Sequence, residues 1–182
     1  MHSGFFGFLR CGEFTIRDLF DPTIHLCVGD VHFQQETAFL KLKSSKTDPF
    51  RKGVTIQLHA TGRVLCPYSA LKNFMQFRIH SSPQFYAPLL VSSTGEALSR
   101  VVFLNHMRLD YRKMGLDTSQ YSGHSFRIGA ATSAAAAHLE DHMIKVLDRW
   151  SSDCYSRYIR TLSSTIRLAQ RAMAMDVDSD TL

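Results

Sequence analysis

The chain has 182 residues, of which 45% are hydrophobic and 20% are charged, and it carries a formal net charge of +5. This composition is typical of a globular domain with its own core, and it excludes a disordered or fibrous chain. No apolar run approaches the roughly 20 residues of a membrane-spanning helix, and the first residues lack the pattern of a signal peptide. We therefore expect an intracellular protein, nuclear if the organism is eukaryotic. The basic charge permits a polyanionic partner without proving one.

The first third of the chain predicts a helix followed by a β-hairpin. Phe5 to Phe20 is apolar and periodic, which predicts a helix that Asp21-Pro22 ends with a turn. Residues 31–58 are expected to contain strands, since side chains alternate partly over 38–43 and cleanly over 54–58. The residues between them, 44–49, are rich in turn formers and place a basic tip on the hairpin.

The rest of the chain predicts helices. Pro67 fits the first turn of a helix over about 67–80, and Ser99 fits the N-cap of a helix over about 100–114 that Gly115 ends. Further helices are predicted through the alanine-rich run 130–137, from Glu140-Asp141 to Leu147, around Tyr158 and over 163–174. The predicted fold is therefore mainly α with a small antiparallel β-sheet.

Near the C-terminus the chain places an imidazole, a guanidinium, an indole and a phenol in a fixed order. The motif Gly123-His124-Ser125-Phe126-Arg127 is followed by Trp150 and then by Tyr158-Ile159-Arg160. Exchange of a phosphodiester needs a nucleophile, cations at the non-bridging oxygens and a proton for the leaving 5′ oxygen. Arginine grips phosphate bidentately without losing its charge, and a phenol can attack phosphorus. This set therefore suits cutting and rejoining of a nucleic-acid backbone.

Each of these residues also has an ordinary structural explanation. If His124 and Arg127 begin a helix, their spacing puts both on one face beside its positive end, but an isolated pair of this kind usually caps a helix. Trp150 is either a core anchor or an N–H donor to phosphate. Arg10 stands among apolar residues and either binds phosphate or pairs with Glu13.

Two choices stay open on chemistry alone. Lys46 at the hairpin tip is either a catalytic cation or a solvated surface lysine. Tyr155 lies close to Tyr158, and the residues do not decide which of the two phenols is the nucleophile. The case for a phosphate-exchange site therefore depends on finding all of these residue types together in this order along the chain.

The ordered set resembles the tyrosine recombinase (phage integrase) superfamily. The run from Ser122 to Ala131, with Trp150 and Tyr158-Ile159-Arg160, is most similar to the Cre recombinase branch, which has Trp where most integrases have a second His. The segment Ser45 to Gly53 resembles the catalytic domains of Crypton-like and DIRS-type mobile elements of eukaryotes. The resemblance covers about residues 5–170 and implies the integrase-like catalytic fold.

The resemblance implies how the scissile phosphate is bound. Arg10 and Arg127 would clamp it, and Glu13 would support the site. His124 would assist proton transfer or bind phosphate, and Trp150 would donate a hydrogen bond to it. Because the arginines supply the charge that Mg²⁺ supplies in two-metal nucleases, no metal and no other cofactor is implied.

The resemblance also implies the proton donor and the nucleophile. Lys46 would protonate the leaving 5′ hydroxyl, with Lys43 as the alternative because the hairpin register is open. Tyr158 would form the 3′-phosphotyrosyl bond, since the family places its tyrosine directly before Ile-Arg, which favours it over Tyr155. Asp148-Arg149 precedes Trp150 where a glycine is common, and Asp148 puts a negative charge near the phosphate site.

The implied partner is duplex DNA, bound by a homotetramer, with no membrane and no small-molecule substrate. Helix 163–174 is the candidate for exchange between neighbouring subunits. We expect residues 1–175 to form the catalytic domain without the family's N-terminal core-binding domain, and 176–182 to form an acidic, disordered tail.

Three functions follow from these expectations. The first is DNA cleavage and rejoining by a recombinase or integrase derived from a mobile element. The alternative is a domesticated relic that binds DNA without catalysis. A third is relaxation of DNA in the manner of a type IB topoisomerase, which uses related chemistry without sequence choice.

Overall fold

A computed structural model of the chain describes residues 6–43, 53–80 and 84–149. The described part is mainly helical with one small sheet, as the sequence predicts. The helices are α1 (Cys11–Phe14), α2 (Pro67–Ile79), α3 (Arg100–Lys113), α4 (Ser125–Ala136) and α5 (Asp141–Asp148), and the strands are β1 (Val31–Gln34), β2 (Thr37–Leu42) and β3 (Val54–His59). Short 3₁₀ turns occur at Val28–Asp30 and Thr118–Gln120.

The sheet is antiparallel, with strand order β1-β2-β3. Leu40 of β2 lies opposite Ile56 of β3, so the apolar residues of both strands share one buried face. The two predicted strands are confirmed, and β1 adds a further hairpin on the other side of β2. The predicted hairpin tip, 44–49, lies outside the described residues.

The prediction of one continuous helix from Phe5 to Phe20 is wrong, because the described part of that segment is helical only at Phe6 and over Cys11–Phe14. Phe8 has a left-handed backbone with φ of 49°, which no regular right-handed helix accommodates, so a helix cannot run through this residue. Beyond α1, Ile16 forms a parallel bridge with Ser99. This distant pairing extends the backbone where the local apolar pattern favours a helix.

The later helices agree with the sequence. The Ser99 hydroxyl accepts the N–H of Val102 at 3.2 Å and caps α3, and Gly115 follows the helix with φ of +73°. The predicted helices around Tyr158 and over 163–174, and the acidic tail, lie outside the described residues. Within the described ranges, no helix combines the length and apolarity that crossing a bilayer requires.

Two apolar clusters hold these elements together. The larger one packs the buried face of the sheet against α2 and the segment at Leu89. The smaller one consists of Phe8, Ala130, Ala131 and Ile144, and so joins the start of the chain to α4 and α5. Because Phe8 belongs to this cluster, the segment that carries Arg10 lies against the two helices that carry Arg127 and Asp148.

Candidate active site

The first candidate phosphate ligand, Arg10, is held by the helix that follows it. Its backbone N–H donates to Glu13 Oε2 at 2.8 Å, and its Nη1 donates to Glu13 Oε1 at 3.0 Å. The side chains are 16% exposed for Arg10 and 4% exposed for Glu13. The pair with Glu13 therefore exists, and it fixes the guanidinium while part of its surface faces solvent.

A second arginine, Arg149, shares the same carboxylate. Its Nη2 donates to Glu13 Oε2 at 2.9 Å, and its Nη1 donates to the carbonyl of Gly7 at 3.0 Å. Burial lowers the pKa of Arg149, and the charge of Glu13 opposes that shift. Sequence reasoning missed this residue, although an arginine at the end of α5, directly before Trp150, was a visible signal.

The other candidate clamp, Arg127, lies in the interior beside Asp148. Arg127 is 3% exposed and Asp148 is 0% exposed. Arg127 Nε lies 2.5 Å from Asp148 Oδ1, and Nη2 donates to the Asp148 carbonyl at 2.6 Å. The contact with Oδ1 is a close ion pair whose alignment does not meet hydrogen-bond geometry. The guanidinium thus faces the residue that the sequence marks as a departure from the family.

Burial governs the protonation of this pair. It raises the pKa of Asp148 to about 6, although the positive charge of Arg127 acts in the opposite direction. Burial also lowers the pKa of Arg127, which Asp148 in turn opposes. The charges of Arg10 and Arg149 also act on Asp148. The ion pair between Arg127 and Asp148 therefore belongs to the same electrostatic network as Arg10 and Arg149.

An open cleft of about 370 Å³ brings Arg10 and His124 together. His124 is exposed and stands directly before α4, whereas Arg127 does not line the cleft. Both residues lie at the start of α4, as the spacing suggests, but only His124 faces the cleft, and Arg127 is buried. Arg127 turns inward because its buried partner lies at the end of α5.

The cleft also contains residues that sequence reasoning did not select. Its lining is Arg10, Cys11, Gly12, Glu13, Arg17, Ile24, His25, Arg100, Gly123 and His124. Arg17, His25 and Arg100 had no motif around them that marks a site. Arg17 and Arg100 each follow a residue of the bridge between Ile16 and Ser99, which no local pattern predicts.

The alternative hairpin lysine, Lys43, is engaged in structural contacts. Its Nζ lies 2.5 Å from Asp30 Oδ2 and donates to the carbonyl of Pro22 at 2.8 Å and to Cys27 Sγ at 3.1 Å. Burial lowers the pKa of Lys43, but the bonds to Asp30 and Cys27 outweigh it, so its pKa is raised. A lysine held in this way is a poor proton donor near neutral pH.

Another cavity, of about 430 Å³, lies between the sheet and α3. Its walls are mainly apolar, with Leu40, Leu71 and Met107 among them, so it lacks the cations that phosphate chemistry needs. Within 6–43, 53–80 and 84–149, no three His, Cys, Asp or Glu side chains cluster closely enough to hold a metal ion.

Four of the sequence-predicted residues lie outside the described ranges. They are Lys46, Trp150, Tyr158 and the alternative nucleophile Tyr155. Their roles remain predictions. The described part of the site thus consists of Arg10, Glu13 and His124 at the cleft, with Arg127 buried behind it.

Comparison with known proteins supports the fold. Neither a scan of protein-family models nor a search of curated proteins finds a match. Among solved structures, the chain is similar to XerA recombinase, with 19% identity, a TM-score of 0.67, and coverage of 94% of this chain and 55% of that one.

Two DNA complexes are also similar. One is XerH site-specific recombinase bound to palindromic difH substrate in a post-cleavage complex, at 16% identity and a TM-score of 0.62, covering 92% of this chain and 45% of that chain. The other is the Tn1549 transposon integrase with transposon right end DNA, at 14% identity and a TM-score of 0.59, covering 94% and 57%. The chain has the fold of a tyrosine recombinase catalytic domain, as predicted, and spans about half the length of these proteins.

Proposed function

We propose that this chain cleaves and rejoins DNA strands through a 3′-phosphotyrosyl intermediate. The observation that carries the proposal is the cleft in which Arg10 and His124 meet, on the fold of recombinases and integrases. Duplex DNA is the proposed partner, because two of the similar structures are complexes with DNA. We further propose that the chain derives from a mobile element and is related to the Cre-like branch and to Crypton-like or DIRS-type recombinases. Residues 1–175 would form the catalytic domain and act as a homotetramer, and in a eukaryote the protein would be nuclear.

In the proposed reaction, each residue has one task. The Tyr158 oxygen attacks phosphorus and releases its phenolic proton with the assistance of His124. The bond from phosphorus to the 5′ oxygen breaks, and Lys46 gives that oxygen a proton. Arg10 stabilises the negative charge of the five-coordinate phosphate, with His124 assisting proton transfer. The engagement of Lys43 with Asp30 supports Lys46 as the donor.

The remaining proposed roles concern phosphate binding and religation. Trp150 donates its indole N–H to a phosphate oxygen. Arg127 joins the clamp when it turns from Asp148 toward the cleft. Attack by a 5′ hydroxyl on the phosphotyrosine reverses the chemistry and releases Tyr158, so the reaction consumes no ATP.

Covalent trapping tests this mechanism. The protein is incubated with nicked duplexes of mixed sequence, denatured and examined for a band shifted by DNA. We expect Tyr158→Phe to abolish the band, and Tyr155→Phe, the matched control, to retain it. A band that survives in Tyr158→Phe would falsify the assignment of the nucleophile.

A second candidate function is DNA binding without catalysis, as a domesticated relic. The burial of Arg127 against Asp148 favours it, because one of the two proposed clamps does not reach the cleft. Salt-dependent DNA binding without a covalent band, both in the wild type and in Asp148→Gly, would support this function over the first.

A further inference from the structure

The cleft carries more positive charge than one phosphate clamp needs. Its lining includes three arginines and one glutamate. Glu13 is already engaged by Arg10 and by Arg149. Within the described ranges, neither Arg17 nor Arg100 has an ion-pair partner. The part of the cleft beyond Arg10 therefore presents uncompensated positive charge in a concave surface, which attracts a polyanion.

These two arginines are held side by side by the backbone. Ile16 bridges Ser99, and the N–H of Arg100 donates to the Ile16 carbonyl at 2.8 Å. Arg17 follows Ile16 directly, so the start of α3 and the segment after α1 deliver the two side chains to the same cleft.

The Arg100 guanidinium has a defined place beside the proposed chemistry. A Cβ atom built on Gly123 would lie 3.1 Å from Arg100 Nη2 and 3.1 Å from Cys11 Cβ. The absence of a side chain at Gly123 therefore lets the guanidinium pack against the backbone directly before His124. This contact places a fixed fork of donors next to the residue that we assign to proton transfer.

We propose that Arg17 and Arg100 bind the backbone phosphates that flank the scissile phosphate. This inference rests on the proposed function, because it takes the Arg10 end of the cleft as the scissile-phosphate site. A cleft of about 370 Å³ falls in the size range of pockets that hold drug-sized ligands, and so has room beyond a single phosphate. Arginine matches phosphate geometry bidentately and suits contacts that position a duplex.

The salt dependence of DNA binding tests the proposal. The full chain and the variants Arg17→Ala, Arg100→Ala and their double are titrated against a fluorescent duplex of mixed sequence at several KCl concentrations. We expect each single variant to reduce the slope of log K against log [KCl] by about 0.9, since it removes one phosphate interaction, and the double variant to reduce it by about 1.8. Arg100→Lys, which keeps the charge, is expected to retain the wild-type slope.

Arg112→Ala is the matched control. Arg112 is an exposed residue in the last turn of the same helix, about 18 Å along the axis from Arg100, and does not line the cleft. We expect its slope to stay near the wild-type value. Slopes for Arg17→Ala and Arg100→Ala that equal the Arg112→Ala slope would overturn the proposal, as would a wild-type chain that does not bind the duplex.

Covalent trapping separates this outcome from failure of the proposed function. Reduced slopes in the two cleft variants without any covalent band would support the phosphate contacts and refute catalysis. A Tyr158-dependent band with unchanged slopes would support catalysis and refute the contacts.

Discussion

Two arginines that are proposed to bind the same phosphate lie in different environments in this molecule. Arg10 borders an open cleft and shares Glu13 with Arg149, whereas Arg127 is buried against Asp148. In the first region Glu13 orients the Arg10 guanidinium, and part of that guanidinium stays exposed to solvent. In the second region the Asp148 counter-ion holds the Arg127 guanidinium in the interior, almost wholly removed from solvent. Burial and neighbours, and not residue type, decide whether an arginine is available to a ligand.

The largest expected effect comes from breaking the buried pair. Arg127→Met leaves the Asp148 carboxylate buried without its main counter-charge, and we expect it to reduce the free energy of unfolding at pH 7 by about 3–5 kcal/mol. Urea denaturation measures this change. Arg112→Met, at an exposed site, is the matched control and should change stability by less than about 0.5 kcal/mol.

The double variant sharpens the same comparison. Arg127→Met with Asp148→Leu replaces the ion pair by apolar groups, and we expect most of the lost stability to return. If the single and double variants are equally unstable, the loss comes from packing and not from the unpaired charge.

The next effect concerns the open region. Arg10→Ala removes the cation that the proposed mechanism places at the phosphate, so we expect covalent adduct formation to slow by about 10²–10³-fold. Its effect on stability should be smaller than that of Arg127→Met, because the guanidinium is partly solvated. Adduct yields over time, with urea denaturation alongside, measure both quantities. An unchanged rate of adduct formation would remove Arg10 from the mechanism.

A smaller effect is expected at the Glu13 carboxylate, which Arg10 and Arg149 share. Glu13→Gln keeps the shape of the side chain but removes the charge that Arg10 and Arg149 bind, and we expect a loss of about 1.5–3 kcal/mol in unfolding free energy. Glu96→Gln, at an exposed loop position, is the control. Equal, negligible losses in both variants would show that the shared contact contributes little.

The smallest effect is a pH dependence from Asp148. Its pKa is raised from an ordinary 3.8 to about 6, so the folded state binds the proton more tightly than the unfolded state. The stabilising contribution is therefore present at low pH and lost as pH rises through about 6. Arg127, Arg149 and Arg10 are the charged groups that act on it, and they stay protonated over this range.

Unfolding free energies at pH 5 and pH 7 test this dependence. From pH 5 to pH 7, we expect the unfolding free energy of the wild type to fall by on the order of 1 kcal/mol more than that of Asp148→Asn. The variant serves as the baseline because every other titrating group is common to both proteins. If the unfolding free energies of the wild type and Asp148→Asn change in parallel over this range, Asp148 is ionised throughout it in the folded state, and Arg127 holds the Asp148 pKa at or below its ordinary value.

The amino-acid sequence by itself determined most of the secondary structure and the fold class. Alternation over β2 and β3, the cap at Ser99 and the glycine at Gly115 are signals between residues close in the chain, and the structure confirms each. The order of the motifs indicated the recombinase fold at a level of identity where only structural comparison finds relatives.

The tertiary structure alone decided which charged groups meet. Arg149 reaches the carbonyl of Gly7 near the start of the chain, and Arg127 turns inward to Asp148 across the α4–α5 contact. The bridge between Ile16 and Ser99 draws the N-terminal segment out of its predicted helix. These pairings join residues far apart in the chain, whereas periodicity and capping report only neighbours within a few positions. The availability of each arginine therefore depended on burial, which the sequence pattern does not encode.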